Sequence, residues 1–378
     1  MSKKSKSFLL AGLILSMTSV SLLAQETVVK IGYTGPLSGG AAYFGKDHEN
    51  GVALAIAELN DKKLTVAGKK VTFQLQSEDD QCDPKAGVAV AQKLADSGIK
   101  FVFGPSCSGV AIPASKVYSD SGILVFTAAS NPKVTQGGHK NLFRITGSDD
   151  QIGVVMANYA AKEMKAKTVG LVDDRSAFGQ GVADEFQKEV TRLGVKVVGR
   201  EYTSATAVDF SSILTTLKSK HPDAIFFGGY PAQGGPLLRQ MKQMGVAVKL
   251  LAPDAMCNEE TSKLAGDSSA VNDILYCAQF GAMVKGADDA AYKARYKQRF
   301  NQDSPAYSAS FYDQMMFLAA SMQKTNSLDP TKVSEEMHNA AHKGIAANYT
   351  YDQYGNLQKA PATVFTFKNG ALIPLSSM

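Results

Sequence analysis

Strand-length apolar runs alternate with helix-length amphipathic segments along most of this chain, and few folds accommodate that alternation. Residues 28–33 read as a strand, and a glycine- and proline-bearing turn follows at 35–40. A helix is expected over 46–59, because Val52, Ala55, Ile56 and Leu59 recur at helical spacing. Residues 71–75 alternate as a strand. Asp83-Pro84 places a capping side chain before a proline at the first helical position. Residues 99–103 and 123–126 are apolar enough for buried strands, with a helix between them starting after Ser108. The pattern then repeats. Helices are expected over 152–164, 181–193 and 232–244, with another capped by Asp209. Strands are expected at 168–172, 195–198, 224–227 and 250–252. Such βα alternation produces parallel sheets covered by helices on both faces.

The last third changes character. A strand at 274–280 precedes helices at 288–300, 308–325 and 330–341. The end, 349–375, is strand-like and aromatic, with Asp352-Gln353-Tyr354-Gly355 as a turn and Asn369-Gly370 as a hairpin turn. A chain of 378 residues exceeds what one core usually serves, so two domains are expected. No flexible linker separates them, which implies that the chain crosses between the two more than once.

The first 24 residues read as a secretory signal peptide. Lys3, Lys4 and Lys6 precede an uncharged apolar stretch over 8–23, and Ala24 supplies a small residue for cleavage. No cysteine stands at that junction to carry a lipid, and no later apolar run is long enough for a membrane span. Removing the three leader lysines takes the formal net charge from +5 to +2. With no basic stripe carrying interleaved aromatics, nucleic acid is not an expected partner. Export also bears on the four cysteines, Cys82, Cys107, Cys257 and Cys277, since an oxidising compartment favours disulfides. Four cysteines allow three pairings. Cys82 with Cys107 and Cys257 with Cys277 is the local choice, and buried thiols are the alternative for either pair.

Motifs for catalysis are missing. His338 and His342 would share a helical face, but the stretch reads HNAAH rather than HExxH, so a solvated face is expected. No serine stands in a GxSxG elbow, no CxxC is present, and the turn at Gly35 has neither dinucleotide nor P-loop spacing. Neither a cofactor nor a metal is expected. Loops after strands carry the binding signals instead. Residues 104–109, 127–132, 228–231 and 253–255 all follow strands, where ligands of open parallel sheets bind. Ser108, Ser130 and nearby N–H groups could hold a carboxylate, and Asp254 with Tyr230 could face an ammonium. The plainer roles for these side chains are helix caps.

With those residues in view, the chain resembles the periplasmic leucine/isoleucine/valine-binding proteins of ABC importers, across essentially all of the mature sequence. The stretches that carry the likeness are 31–39, the helix 51–60, 80–85, 122–124, Phe178-Gly179 and 226–230. The resemblance implies the type I periplasmic binding protein fold: two similar three-layer α/β lobes with parallel-sheet cores, joined by a hinge of about three strands. Lobe 1 would hold 25–147 and 278–348, and lobe 2 would hold 148–277 and 349–378. It implies a periplasmic monomer that is not an enzyme. Such a protein captures an amino acid or related metabolite and delivers it to a membrane permease with its ATPase subunits. A ligand-sensing module on the same fold is the alternative. The family disulfide falls on Cys82 and Cys107, whereas Cys257 and Cys277 have no counterpart. Ligand contacts would fall on Ser108, Ala128 and Ser130 in the first lobe and on Phe178, Tyr230 and Asp254 in the second. Phe44 would wall the ligand, and Ser106 and Cys107 would lie beside its side chain. Ser106 stands where an apolar residue would suit leucine, so a side chain that is polar or aromatic is expected rather than a purely branched aliphatic one.

Overall fold

The computed structural model describes residues 26–280, 287–305, 307–360 and 362–377, so the signal peptide expected at 1–24 lies outside the described residues. Two separate sheets form. The first takes β1 (Glu26–Gly35), β2 (Thr65–Val66), β3 (Lys69–Asp79), β4 (Phe101–Phe103), β5 (Leu124–Thr127) and β6 (Leu142–Arg144) in the order β2-β3-β1-β4-β5-β6. Between them run α1 (Ala42–Asp61), α2 (Pro84–Asp96), α3 (Ser108–Asp120) and the single turn α4 (Lys133–Gln136). All pairings are parallel except the short β2, which runs antiparallel to β3.

The chain then crosses and builds the second sheet. Its elements are α5 (Asp149–Asn158), β7 (Thr168–Asp173), α6 (Ala177–Arg192), β8 (Lys196–Tyr202), α7 (Ser211–Ser219), β9 (Ala224–Gly228), α8 (Pro231–Gln243), β10 (Lys249–Ala252), α9 (Glu259–Ala265) and β11 (Leu275–Phe280). It crosses back for α10 (Ala287–Phe300), α11 (Ser308–Thr325), α12 (Pro330–Asn339) and the small pair β12 (His342–Lys343) and β13 (Asn348–Tyr349). A third crossing returns it for the hairpin β14 (Ala362–Lys368) and β15 (Ala371–Ser377), which closes the sheet order β15-β14-β11-β10-β9-β7-β8. The expected Asn369-Gly370 turn joins this hairpin, with both residues at positive φ.

Each sheet is buried on both faces, because successive strand residues point to opposite sides. Phe101, Phe103 and Phe126 face a core shared with α1, α10 and α11, while Val102 and Val125 face α2 and α3. In the second lobe Ile225, Phe227 and Leu250 face α7 and α8, while Phe226 and Leu251 face α5 and α6. These are the expected three-layer lobes. Glycine sets one helix contact: a Cβ at Gly51 of α1 would collide with the Ser308 backbone of α11.

Several boundaries differ from the sequence reading. The crossing expected at 277/278 falls after Phe280, because β11 stays paired with β14 through Phe280 opposite Ala362. The return expected at 348/349 also comes later, since Tyr349, Tyr351 and Leu357 are buried in the first lobe's core. The last helix ends at Asn339, so His338 and His342 do not share a helical face. Neither is fully solvated: the His338 ring packs on Phe143 at 4.5 Å, and His342 stacks on Phe317 at 4.8 Å. Strand β6 was not anticipated, being three residues long and ending in a charge.

That charge, Arg144, ties two crossings together. It is 1 % exposed. Its guanidinium donates to the carbonyls of Ala129 (2.9 Å) and Asn131 (3.1 Å), to Thr135 Oγ1 (2.9 Å) and to Asn356 Oδ1 (3.2 Å). Buried cations persist only when their donors are satisfied in this way.

Both local disulfides form. Cys82 bonds Cys107 and Cys257 bonds Cys277, each with Cα atoms 5.6 Å apart. Replacing Cys257 and Cys277 together by alanine is expected to cost about 3 kcal/mol in urea unfolding, from the loop-closure entropy of a segment of this length; an unchanged midpoint would show the crosslink to be energetically idle. Arg144→Ala strands buried carbonyls and is expected to destabilise by at least about 3 kcal/mol, read by the same method.

Candidate functional site

The loops that leave the carboxyl ends of the parallel strands converge between the lobes, as open α/β sheets dictate. After β4 the chain passes so close to the Thr34 carbonyl that only glycine fits at Gly104, whose φ is +98°. Ser106 and Cys107 follow, and Ser108 begins α3. The Cys82 disulfide pins this turn to the loop after β3. The neighbouring loop, after β5, is tied to it by Thr127, whose hydroxyl donates to the Pro105 carbonyl at 2.6 Å. Arg144 grips the carbonyls on either side of Ser130. Ser108 Oγ accepts from the Asn131 N–H at 3.2 Å, which leaves its own proton free to be donated elsewhere.

From the second lobe, α6 supplies Phe178 and the residue before α8 supplies Tyr230. Asp254 opens a 3-10 turn, Asp254–Met256, directly after β10. Cys257 ends that turn, and its disulfide to Cys277 of β11 fixes the turn against the adjacent strand. The second crosslink therefore holds the carboxylate's backbone in place.

The lobes meet around a cavity of about 90 Å³. Phe44, Ser106, Ser108, Ala128, Ser130, Phe178, Tyr230 and Asp254 all line it. Cys107 does not line it; its sulfur is committed to the disulfide. Phe44 of α1 stacks across the lobe boundary on Tyr230 (6.1 Å, 13° between planes), and Phe178 packs against Tyr230 at 5.0 Å. Two polar contacts also span the boundary: Tyr307 donates its hydroxyl to Asp254 Oδ2 at 2.7 Å, and Asn131 Nδ2 donates to the Ala177 carbonyl at 2.6 Å. The two lobes are thus in direct contact around the cavity.

Sequence reasoning missed several residues of the lining, His48, Gln279 and Tyr307 among them. His48 was findable, since it stands one helical turn before Val52 on the buried face of α1. Tyr307 precedes α11, whose start is fixed from afar: Asp47 Oδ2 accepts from the N–H groups of Tyr307 and Ser308, both at 3.1 Å. No local signal reports a cap supplied by a distant helix. Burial pushes the Asp47 carboxyl up to about 7 and the His48 imidazole down to about 3. Asp254 is raised by burial, with the Tyr307 hydrogen bond opposing the shift. Its second oxygen, Oδ1, is buried with no hydrogen-bond partner among the described residues.

A wider cavity of about 580 Å³ opens on the hinge side beside Arg144. That guanidinium is turned inward to the four protein acceptors described above, so the interlobe cavity is the better candidate.

Comparison with known proteins agrees with this geometry. A periplasmic binding protein family model matches residues 28–371. A leucine-, isoleucine-, valine-, threonine- and alanine-binding protein of Pseudomonas aeruginosa is 31% identical over 350 residues, covering 92% of each chain. An amino acid binding protein of the same organism is 32% identical over 357 residues, covering 93% of this chain and 94% of the relative. The crystal structure of a leucine-binding protein from Thermotoga maritima superposes with a TM-score of 0.84 at 26% identity, covering 93% of this chain and 98% of its own. The chain therefore belongs to the leucine/isoleucine/valine-binding protein family, as a periplasmic substrate-binding protein of an ABC importer with the type I two-lobed fold.

Proposed function

We propose that the protein, as a monomer, captures a small α-amino acid and hands it unchanged to a membrane permease with its ATPase subunits. The observation that carries this reading is the charge pattern of the cleft. Asp254 presents a buried carboxylate oxygen with no partner among the described residues, and no lysine or arginine is among the described lining residues. Such a cleft favours a ligand with a positive end. An ammonium at Asp254 Oδ1 would form a charge-assisted hydrogen bond out of water. The carboxylate would lie at Ser108 and Ser130, where the free Ser108 proton and the first N–H groups of α3 are available. The Phe44–Tyr230–Phe178 stack would close over the ligand.

Size supports the same reading. A cavity of 90 Å³ has room for roughly six to nine water-sized atoms, the size of a small amino acid. The ligands named for the Pseudomonas aeruginosa relative, which include threonine and alanine, fall within that range. Binding would select the closed form and present both lobes together to the permease. Nothing in the cleft calls for turnover: the ligand's two charged ends would meet static partners.

Calorimetry with the twenty amino acids tests this directly; binding of at least one, recovered unchanged, is expected, and binding of none would refute it. Asp254→Ala should weaken that ligand by roughly 2–5 kcal/mol, because it strands a buried ammonium. Affinity should also fall on acidification before ordinary carboxylates titrate. With the lobes in contact, burial holds Asp254 above its usual pKa, so it protonates early and then cannot receive an ammonium. A flat affinity profile down to the ordinary carboxylate range would contradict that assignment.

A further inference from the structure

Three other polar groups lining the cleft are left over when the ammonium and carboxylate are placed: Asp47, through its Oδ1, and two nitrogens. His48 Nε2 and Gln279 Nε2 are both buried without a hydrogen-bond partner among the described residues. The His48 ring is held on three sides. Its Nδ1 bonds Ser106 Oγ at 2.7 Å, its face stacks on Phe311 at 4.3 Å and 19°, and it meets Tyr307 edge-on at 6.0 Å. That leaves Nε2 as the ring's one uncommitted polar atom. Gln279 is the penultimate residue of β11, just before a crossing, and its Nε2 is an N–H donor.

Resting on the amino-acid reading above, we propose that the ligand's side chain carries an uncharged hydrogen-bonding group, a hydroxyl or a carboxamide, recognised by His48 and Gln279. The class follows by comparing what each kind of side chain would meet. A branched aliphatic side chain strips water from both nitrogens and returns nothing, and sites built around buried polar groups discriminate strongly against such analogues. An anionic side chain finds no lysine or arginine among the described lining residues. A cationic one would face a neutral imidazole, since burial holds His48 far below its usual pKa. Asp47, the other carboxylate of the lining, caps α11 with Oδ2 and leaves Oδ1 unpartnered among the described residues, but burial pushes its carboxyl up to about 7, so it is not a fixed negative partner for a cationic side chain. A hydroxyl or carboxamide can donate to or accept from His48 Nε2, whichever tautomer Ser106 selects, and can accept from Gln279. Ser106 is thereby a positioning residue: it holds the ring that reads the ligand, rather than itself touching the side chain.

Isosteric pairs test this on the intact mature protein by calorimetry: threonine against valine, asparagine against leucine, glutamine against methionine. In at least one pair the polar member is expected to bind about tenfold tighter or more. His48→Phe, checked for a cooperative thermal transition, should reduce that preference to within about threefold while leaving amino-acid binding measurable. Gln279→Met gives an independent reading with the same expected direction. Equal or tighter binding of every apolar member would overturn the proposal while leaving the amino-acid reading intact. So would an unchanged preference in both folded variants, or lysine as the tightest ligand. Failure of every α-amino acid to bind would instead bring down the underlying function.

Discussion

Closing two lobes over Asp254 takes a carboxylate out of water, and that carboxylate then needs positive charge or donated protons from whatever fills the cleft. Tyr307 supplies one hydrogen bond across the lobe boundary. The other oxygen has no partner among the described residues. Much of the site follows from this one deficit. On the function proposed above, it makes an ammonium the natural occupant and gives the ligand a role in holding the two lobes together. A ligand that satisfies both ends bonds to both lobes at once, which is how small contacts can shift a hinge equilibrium.

The surrounding fold is arranged to hold these groups still. Parallel sheets bring loop starts together at their carboxyl edges, and covalent or ionic ties then fix each loop. Cys82–Cys107 steadies the turn before Ser108, and Cys257–Cys277 steadies the turn that begins at Asp254. Arg144 reaches the carbonyls flanking Ser130 and, through Asn356, the segment leading to the third crossing. The hinge and the binding loop therefore share one buried cation.

Much of this was legible in the amino-acid sequence because the deciding signals are local. Helical spacing marks the buried face of α1, and the strand alternation needed for two-sided burial is written into runs such as Phe101-Val102-Phe103. Asp83-Pro84 announced its helix, and the Asp83 side chain does accept from the Lys85 and Ala86 N–H groups. Asp254 could be placed from its position after a strand. What escaped were features decided by partners far away in sequence. Tyr307 enters the cleft because Asp47, on a different helix, caps α11. His48 became a site residue only when Ser106 and Phe311 fixed its ring. The lobe boundaries carried over from the resemblance moved because β11 stays paired with β14 through Phe280 and because Tyr349, Tyr351 and Leu357 pack in the first lobe's core. Cys107 forms the crosslink expected of it and does not itself line the cleft.

The central claim is that Asp254 receives the ligand's ammonium. A crystal structure of the mature protein with its tightest-binding amino acid tests it most directly. The account predicts the ligand nitrogen within about 2.7–3.1 Å of Asp254 Oδ1, with the carboxylate turned toward Ser108 and Ser130. A ligand reversed in the cleft, or one whose nitrogen bonds elsewhere while Asp254 keeps only Tyr307, would contradict it.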